Sequence, residues 1–342
     1  MNSYQLSAIS YQQSPRTAVR GSLMPSTRRT DAPSPRSAFT LTEILVTIGL
    51  IALLIAITVT VYSGTNTAAR RSATVATVKK IDELLHARID GFNRWLATQG
   101  DNVPFDVEPP FDDDGPRSLV IGRKRRLREY FPQQFLESNS PISAGPSHDD
   151  LTESSECLFF FLTHGEAFGA EPVSDDAFGT GEVADTDGDG LREFIDGWGR
   201  PLRFYRWPTR LVRGGEWVDA GYIPPPMATT LLGTIPADTQ DPDAIHDPDD
   251  TLGLILAGLR SMPPAFSAEA FEQSYHTADT YHAPLVVSAG PDGFLGLYEP
   301  NDVPNFGHLA APLLDPEGDP NLTALEEADD NITNLNQRAG SR

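Results

Sequence analysis

Cysteine and recognisable catalytic motifs are almost absent from this chain of 342 residues. Its single cysteine, Cys157, excludes a disulfide within the chain, and the apolar run around it predicts a buried small hydrophobic residue. The sequence has no nucleophile elbow, no phosphate-binding glycine loop and no H-E-x-x-H motif. We therefore expect no catalytic residues and no enzymatic activity.

Positive charge is scarce beyond the first hundred residues. The formal net charge of the chain is −22. Residues 1–38 carry five Arg and one Asp, and residues 39–100 carry six basic and four acidic side chains, which leaves −28 for residues 101–342. A region of this charge repels nucleic acid and anionic lipid, so nucleic-acid binding is not expected. Its acidity suits either solubility or the binding of divalent cations.

Residues 44–62 form a long apolar run that is interrupted only by three Thr, one Gly and a terminal Tyr. Glu43 is the only charged residue between Phe39 and Ala69. Nineteen residues of helix span roughly 28 Å, which is about the thickness of the hydrocarbon core of a bilayer. The run therefore predicts a transmembrane helix. Arg and Lys flank its two ends equally, so the flanking charge leaves the orientation open.

The helical pattern continues beyond the apolar run. Apolar residues recur at steps of three and four, which is the spacing of one helix face. They are Val75, Val78, Ile81, Leu85, Ile89, Phe92 and Trp95. Gly100 is a suitable terminator. We expect one helix from about Thr42 to Ala97, half in lipid and half carrying a soluble domain on its apolar stripe.

A basic leader, the segment SAFTLTEILV at residues 37–46 and an uncharged helix follow one another. This order resembles the N-terminal signal of type IV prepilins and type II secretion pseudopilins. The resemblance implies that prepilin peptidase cuts between Ala38 and Phe39 and that the new N-terminus is methylated. It also implies that Glu43 pairs with the α-amino group of a neighbouring subunit during assembly. The alternative is an interfacial Glu43 that the helix dipole favours in the first turn.

The same resemblance implies a location and a set of partners. The chain would be a single-pass protein of the bacterial inner membrane, with its C-terminal domain in the periplasm or in an extracellular fibre. Its partners would be the lipid bilayer, copies of itself or other pilin-like subunits, prepilin peptidase and an inner-membrane assembly platform. The function implied is that of a structural subunit of a type II secretion pseudopilus or a type IV pilus-like fibre.

Three C-terminal segments resemble the major type II secretion pseudopilin, and they occur in the same order. They are Glu193–Tyr205, Val286–Gly293 and Ala328–Asn334. The first contains the sequence DGWGRP and the second the sequence SAGPDG. In that family the second segment belongs to a loop that holds a structural calcium ion. The resemblance places the ligands at Ser288, Asp292 and either Asp329 or Asp330.

A second calcium site is predicted from residue types alone. Residues 185–196, DTDGDGLREFID, match a twelve-residue calcium loop at its first, third, fifth and sixth positions. Carboxylates two residues apart in a tight glycine turn converge on one hard cation. The predicted ligands are Asp185, Asp187, Asp189, Glu193 and Asp196. The alternative is a solvated acidic turn.

The region beyond residue 100 predicts few regular elements, because loops rich in Pro, Gly, Asp and Ser separate short apolar runs. Strands are expected at 202–207 and 285–287, whereas 158–162 and 252–259 fit either short helices or buried strands. We expect an α+β, pilin-like fold, in which a long N-terminal helix packs on a small antiparallel sheet with long loops. The predicted parts are a leader at 1–38, a membrane and assembly helix at 39–69, its amphipathic continuation at 70–100, an acidic soluble pilin-like domain at 101–310 and an acidic, partly mobile tail at 311–342.

Two alternatives remain for the chain as a whole. It is either a processed fibre subunit or an uncleaved, signal-anchored protein whose acidic domain binds calcium or a partner. In a eukaryotic version of the second alternative, Asn321 and Asn331 would be glycosylation acceptors. His276 and His282 are six residues apart, which matches no usual zinc pattern, so we expect structural or exposed histidines.

Overall fold

The computed structural model describes residues 39–99, 116–138, 142–171, 173–208, 231, 247–261, 266–302 and 322–337. The chain divides into two compact units, Met1–Ile57 and Thr58–Arg342. Helix α1, Leu41–Gln99, contributes residues to both units.

In the first unit, α1 contains the apolar segment. The window Leu41–Thr58 has a mean hydropathy of 2.4, and none of it is buried within the protein. Many of its residues are β-branched, and such residues have only modest helix propensity in water. A helix is nevertheless the form that satisfies every backbone hydrogen bond of a single segment in lipid. The segment is thus long and apolar enough to cross a membrane, as its composition predicts.

In the second unit, the later part of α1 supplies one wall of the main hydrophobic core. Val78, Ile81, Leu85 and Phe92 are buried with no more than 1% of their surface exposed. The helix meets residues from distant parts of the chain there, namely Phe131, Leu158, Phe159, Phe161, Leu162, Phe178, Val183, Phe194, Leu202, Phe204 and Val286. The three-and-four spacing of its apolar residues therefore predicts the buried face correctly.

Five further helices lie within the described residues of the second unit. They are α2 Pro116–Tyr130, α3 Glu153–Thr163, α4 Leu254–Arg260, α5 Ala268–Ser274 and α6 Leu322–Ala328. Helix α3 contains the Phe-rich run and buries Cys157 completely. Burial raises the pKa of the Cys157 thiol well above its usual range. The two ambiguous runs at 158–162 and 252–259 are thus largely helical, and Cys157 is the buried residue that its apolar surroundings predict.

The strands form two small antiparallel sheets. Strands β1 Val183–Ala184 and β2 Glu193–Phe194 make a hairpin, with Ala184 opposite Glu193. Strands β3 Arg203–Tyr205, β4 Leu285–Ser288 and β5 Ile332–Thr333 form the other sheet in the order β3-β4-β5. Mixed helices and small antiparallel sheets are compatible with the predicted α+β class.

The segment DGWGRP connects the hairpin to β3 and packs closely on α1. The Gly197 N–H donates to the Thr74 hydroxyl over 2.8 Å. A Cβ atom at Gly197 would lie 2.3 Å from the Arg70 carbonyl oxygen. Only glycine fits this approach without moving the helix backbone. The glycine at position 197 of this segment is therefore explained by the contact between the loop and α1.

The described part of the soluble region contains regular elements that the sequence did not indicate. Helix α2 has 15 residues with a polar composition, and one of its charged residues, Lys124, is completely buried. The predicted tail at 311–342 includes α6 and β5, and Ile332 and Thr333 are completely buried. The other residues of the predicted tail, 311–321 and 338–342, lie outside the described residues.

Asn331 does not suit the glycosylation alternative. It is 2% exposed, and its side-chain amide donates to the Leu295 carbonyl oxygen over 2.8 Å. A glycosylation acceptor has to be accessible on the surface. Asn321, the other candidate, lies outside the described residues.

Candidate assembly and metal-binding sites

Glu43 closes the first turn of α1 together with Thr40. The Thr40 backbone N–H and hydroxyl each donate to Glu43 Oε2 over 2.8 Å. In return the Glu43 N–H donates to the Thr40 hydroxyl oxygen over 3.2 Å. This reciprocal pair is a capping box, which stabilises the start of a helix. Phe39 is 81% exposed, and Ala38, the other residue of the predicted cleavage site, lies outside the described residues.

The predicted calcium loop connects the two strands of the β1–β2 hairpin instead of two helices. Asp185, at its start, accepts the N–H of Gly188 over 2.7 Å and that of Gly190 over 3.2 Å. Both glycines have positive φ, at 78° and 98°. Asp185 therefore shapes the turn by binding its backbone. Asp185 is exposed, and within the described residues it does not belong to the group of side chains that converge with Asp187 and Asp189.

Asp187 and Asp189 do face a common point, together with two residues from outside the loop. Ligand atoms of His148, Glu156, Asp187 and Asp189 all lie within 4.8 Å of one another. His148 Nδ1 is 3.5 Å from Glu156 Oε2, 3.7 Å from Asp187 Oδ2 and 3.2 Å from Asp189 Oδ2. We call these four residues, together with the adjacent Glu193, the acidic cluster.

Local contacts hold the cluster in place. Segment 145–149 packs closely on the loop. A Cβ atom at Gly145 would lie 2.2 Å from the Asp189 carbonyl oxygen. The Asp149 N–H donates to Asp187 Oδ2 over 2.8 Å. The Ser155 hydroxyl of α3 donates to the Phe194 carbonyl over 3.0 Å, which fixes the helix turn that carries Glu156 against β2.

The surroundings of the acidic cluster disfavour the ionised form of two of its carboxyl groups. Burial, and then the charges of Asp189, Asp187 and Glu193, raise the pKa of Glu156 to about 8. Burial also raises the pKa of Glu193. One oxygen of Glu193 accepts the Thr186 N–H over 2.6 Å, whereas its other oxygen is buried without a hydrogen bond. Carboxylates so close together either hold protons or require a cation.

Asp196, the predicted last ligand of the loop, belongs to a different site. Its Oδ1 accepts the N–H groups of Trp198 and Arg200, over 2.8 Å and 3.0 Å. Its Oδ2 accepts the Ser288 hydroxyl over 2.8 Å. The Asp196 side chain thus organises the turn before β3, and within the described residues it does not join the group that contains Asp187 and Asp189.

The ligands suggested by the pseudopilin resemblance are only partly gathered. The Ser288 hydroxyl is directed to Asp196, and Asp329 is exposed. Asp292 and Asp330 lie near one another. Burial raises the pKa of Asp330, and the charge of Asp292 raises this pKa further. Asp330 Oδ1 is buried and accepts no hydrogen bond. Within the described residues these acids do not form a group of three converging side-chain ligands.

His276 and His282 lie in a buried ionic network with Asp247. His282 Nε2 is 3.2 Å from Asp247 Oδ1, and His276 Nε2 is 3.4 Å from Asp247 Oδ2. Lys124 Nζ lies 3.0 Å and 2.8 Å from the same two oxygens. Although burial opposes it, the Lys124 ammonium holds the pKa of Asp247 well below its usual range. Both histidines are therefore buried within an ionic network and are not exposed.

This network has the residue types of a metal site, yet it already contains a cation. Lys124 is completely buried and also lies 3.3 Å from Asp249 Oδ2. A divalent ion bound by Asp247 and the two histidines would lie next to the ammonium group. The acidic cluster differs in this respect, since no Lys or Arg forms an ion pair with Glu156, Asp187 or Asp189 in the part of the chain that the structure describes.

Sequence reasoning missed His148, Glu156 and Lys124. The first two lie about 30–40 residues before the loop that they join, so no local spacing links them. The feature of the sequence that could have identified Glu156 is its position directly before the apolar run of α3. Comparison with known proteins adds nothing to these assignments: no family model, no curated protein and no solved structure matches this chain.

Proposed function

We propose that this chain is a structural subunit of a pilin-like fibre, such as a type II secretion pseudopilus or a type IV pilus-like filament. It is cut between Ala38 and Phe39 by prepilin peptidase and assembles through its N-terminal helix. The observation that carries the proposal is the order of three features: a basic leader, the Phe39–Glu43 motif and the exposed apolar window Leu41–Thr58.

The exposure of the apolar window supports assembly through this segment. Phe39 and Leu41 are about four-fifths exposed, and the large apolar side chains between Ile44 and Ile57 are at least half exposed. An apolar surface of this extent requires lipid or a protein partner. In the proposed cycle it contacts lipid before assembly and the helices of other subunits afterwards.

In this proposal, Glu43 sets the axial register between the packed N-terminal helices of neighbouring subunits. Leader removal creates an α-ammonium group at Phe39, four residues before the Glu43 carboxylate. In a bundle of packed helices, the carboxylate of one subunit neutralises the ammonium group of its neighbour, so that both charges leave water as a pair. An unpaired Glu43 in the same bundle would be strongly disfavoured.

The test compares Glu43→Ala with Glu83→Ala in the native host. Glu83 lies on the same helix, is exposed and lies outside the apolar window. Both variants are expected to be cut normally. Only Glu43→Ala should disappear from the sheared-fibre fraction and accumulate in the membrane. Equal incorporation of both variants would contradict the assembly role of Glu43.

The acidic cluster favours a second candidate, an uncleaved signal-anchored protein that binds a cation. In that case the chain would keep its leader and would be absent from any sheared fibre. Intact mass separates the two candidates, because leader removal takes away residues 1–38. Cation binding by itself does not decide between them.

A further inference from the structure

The acidic cluster gathers several carboxylates around one imidazole, and within the described residues no Lys or Arg forms an ion pair with Glu156, Asp187 or Asp189. Glu156, Asp187, Asp189 and Glu193 contribute four carboxylates, and His148 contributes one imidazole nitrogen. The Asp189 side chain is completely buried, and that of Asp187 is 8% exposed. Water therefore has little access to several of these oxygens, and isolated buried carboxylates are costly.

Glu156 points to a missing ligand most directly. The residue is 1% exposed, and neither of its carboxylate oxygens accepts a hydrogen bond from the described part of the chain. The hydroxyl of the nearby Thr152 is directed to the Asp149 carbonyl and to Asp187 Oδ2, over 2.6 Å and 3.1 Å. Asp189 Oδ2 and His148 Nδ1 are likewise buried without a hydrogen bond. Buried polar atoms are almost always satisfied, so four such atoms around one point call for a bound group.

The chemistry of the donors narrows the identity of that group. The four buried atoms without a hydrogen bond are three carboxylate oxygens and one imidazole nitrogen, and one oxygen of Glu193 also lacks a hydrogen bond within the described residues. Hard divalent cations such as calcium take several oxygen ligands, including mono- and bidentate carboxylates. Zinc favours nitrogen and sulfur donors in tetrahedral sites. An oxygen-rich set with four carboxylates suits a hard cation.

We propose that Glu156, Asp187, Asp189 and Glu193 bind a calcium ion, with His148 at the edge of the site. The ion ties the β1–β2 hairpin loop to the first turn of α3. This site differs from the twelve-residue loop expected from the sequence, because Asp185 and Asp196 are replaced by Glu156 and His148. It does not depend on leader cleavage, so it and the proposed fibre function can fail separately.

The test uses the full chain, purified in detergent and stripped of metal with EDTA. Calcium chloride is titrated into it by calorimetry, and calcium content is measured by mass spectrometry after dialysis. We expect one calcium ion per chain and a rise in melting temperature on calcium addition. Asp189→Asn and Glu156→Gln should each weaken calcium binding by more than the ~10–100-fold typical of losing a supporting residue around a metal.

The control is Asp292→Asn, which removes an exposed carboxylate that belongs to the other predicted site. Its Oδ1 accepts the Phe294 N–H, and an Asn oxygen can do the same. This variant should bind calcium like the unmodified chain. Loss of binding in Asp292→Asn with retention in Glu156→Gln would overturn the proposal, as would binding of zinc chloride without binding of calcium chloride. A folded Glu156→Gln variant, shown by an unfolding transition in EDTA, excludes misfolding as the cause of lost binding.

Discussion

Replacing Glu156 by Gln should change stability in opposite directions with and without calcium. Without a cation, the folded chain confines this carboxylate among other carboxylates. Its pKa rises from 4.5 to about 8, first because of burial and then because of the neighbouring charges. Gln has nearly the same shape and does not titrate, so it removes the cost without opening a cavity.

The size and sign follow from proton linkage. Between pH 4.5 and pH 8 the folded chain binds a proton at Glu156 that the unfolded chain has released. The stability of the metal-free protein therefore falls as pH rises through this window. At pH 7 the free energy of unfolding is therefore about 3 kcal/mol lower than it would be with a side chain that stays neutral at this position. In EDTA at pH 7, Glu156→Gln should thus raise the free energy of unfolding by up to that amount, and by almost nothing at pH 4.5.

Calcium should reverse the order of the two proteins. The ion binds the ionised carboxylate and stabilises the folded chain in proportion to the logarithm of its concentration above the Kd. Urea unfolding of the full chain in detergent, followed by tryptophan fluorescence, measures both conditions. A Glu156→Gln variant that is less stable than the unmodified chain in EDTA at pH 7, or equally stabilised by calcium, would refute this reasoning.

Three further changes test other parts of the fold. Gly197→Ala should destabilise the chain by about 1–3 kcal/mol, because the new Cβ would lie 2.3 Å from the Arg70 carbonyl oxygen. A Cβ added at Gly181 would have no atom within 4 Å, so Gly181→Ala should not change stability. Thermal unfolding of the two variants tests this difference. Lys124→Met leaves Asp247 buried without its main cation and should cost about 3–5 kcal/mol in urea unfolding, much of which a second change, Asp247→Asn, should restore. His276 has its pKa lowered to about 4 by burial and by Lys124, so the folded chain binds fewer protons than the unfolded chain between pH 4 and 6.5 and stability rises with pH there. His276→Asn lacks this titration, and its stability relative to the unmodified chain should therefore improve by about 2 kcal/mol between pH 7 and pH 5; an unchanged difference would contradict a buried neutral histidine.

The sequence predicts the elements that depend on local periodicity. Helix α1 runs from Leu41 to Gln99, close to the expected limits, because a continuous apolar run of membrane-spanning length is followed by apolar residues at helical spacing from Val75 to Trp95. Strand β3 lies within the run expected at 202–207, and β4 covers the run expected at 285–287 and extends one residue further, to Ser288; each is short and contains branched or aromatic residues. These signals need no knowledge of distant contacts.

Features that depend on tertiary contacts were not predictable in this way. Helix α2 has a polar sequence, and Lys124 is buried only because Asp247, more than a hundred residues away, pairs with it. Strand β5 is only two residues long, and its partner β4 lies more than forty residues earlier in the chain. A single sequence does not show which distant partner an isolated charge or a short strand will find.

The acidic cluster shows both cases. The spacing of Asp187 and Asp189 in a glycine turn predicted that these two carboxylates converge, and they do. The same spacing does not show which other side chains lie beside them. Asp185 turns back to the loop's own amides, and Glu156 approaches from α3. A helical calcium loop and a hairpin loop share their first residues but differ in the elements that complete the site.

The most direct test of the proposed function is the mass of the N-terminal peptide of the protein isolated from its native membranes. The account predicts a chain that begins at an N-methylated Phe39, with no peptide from residues 1–38. A chain that begins at Met1 or Asn2 and retains Ala38 joined to Phe39 would contradict it. That result would leave a signal-anchored protein, whose function would then have to be sought in its acidic domain.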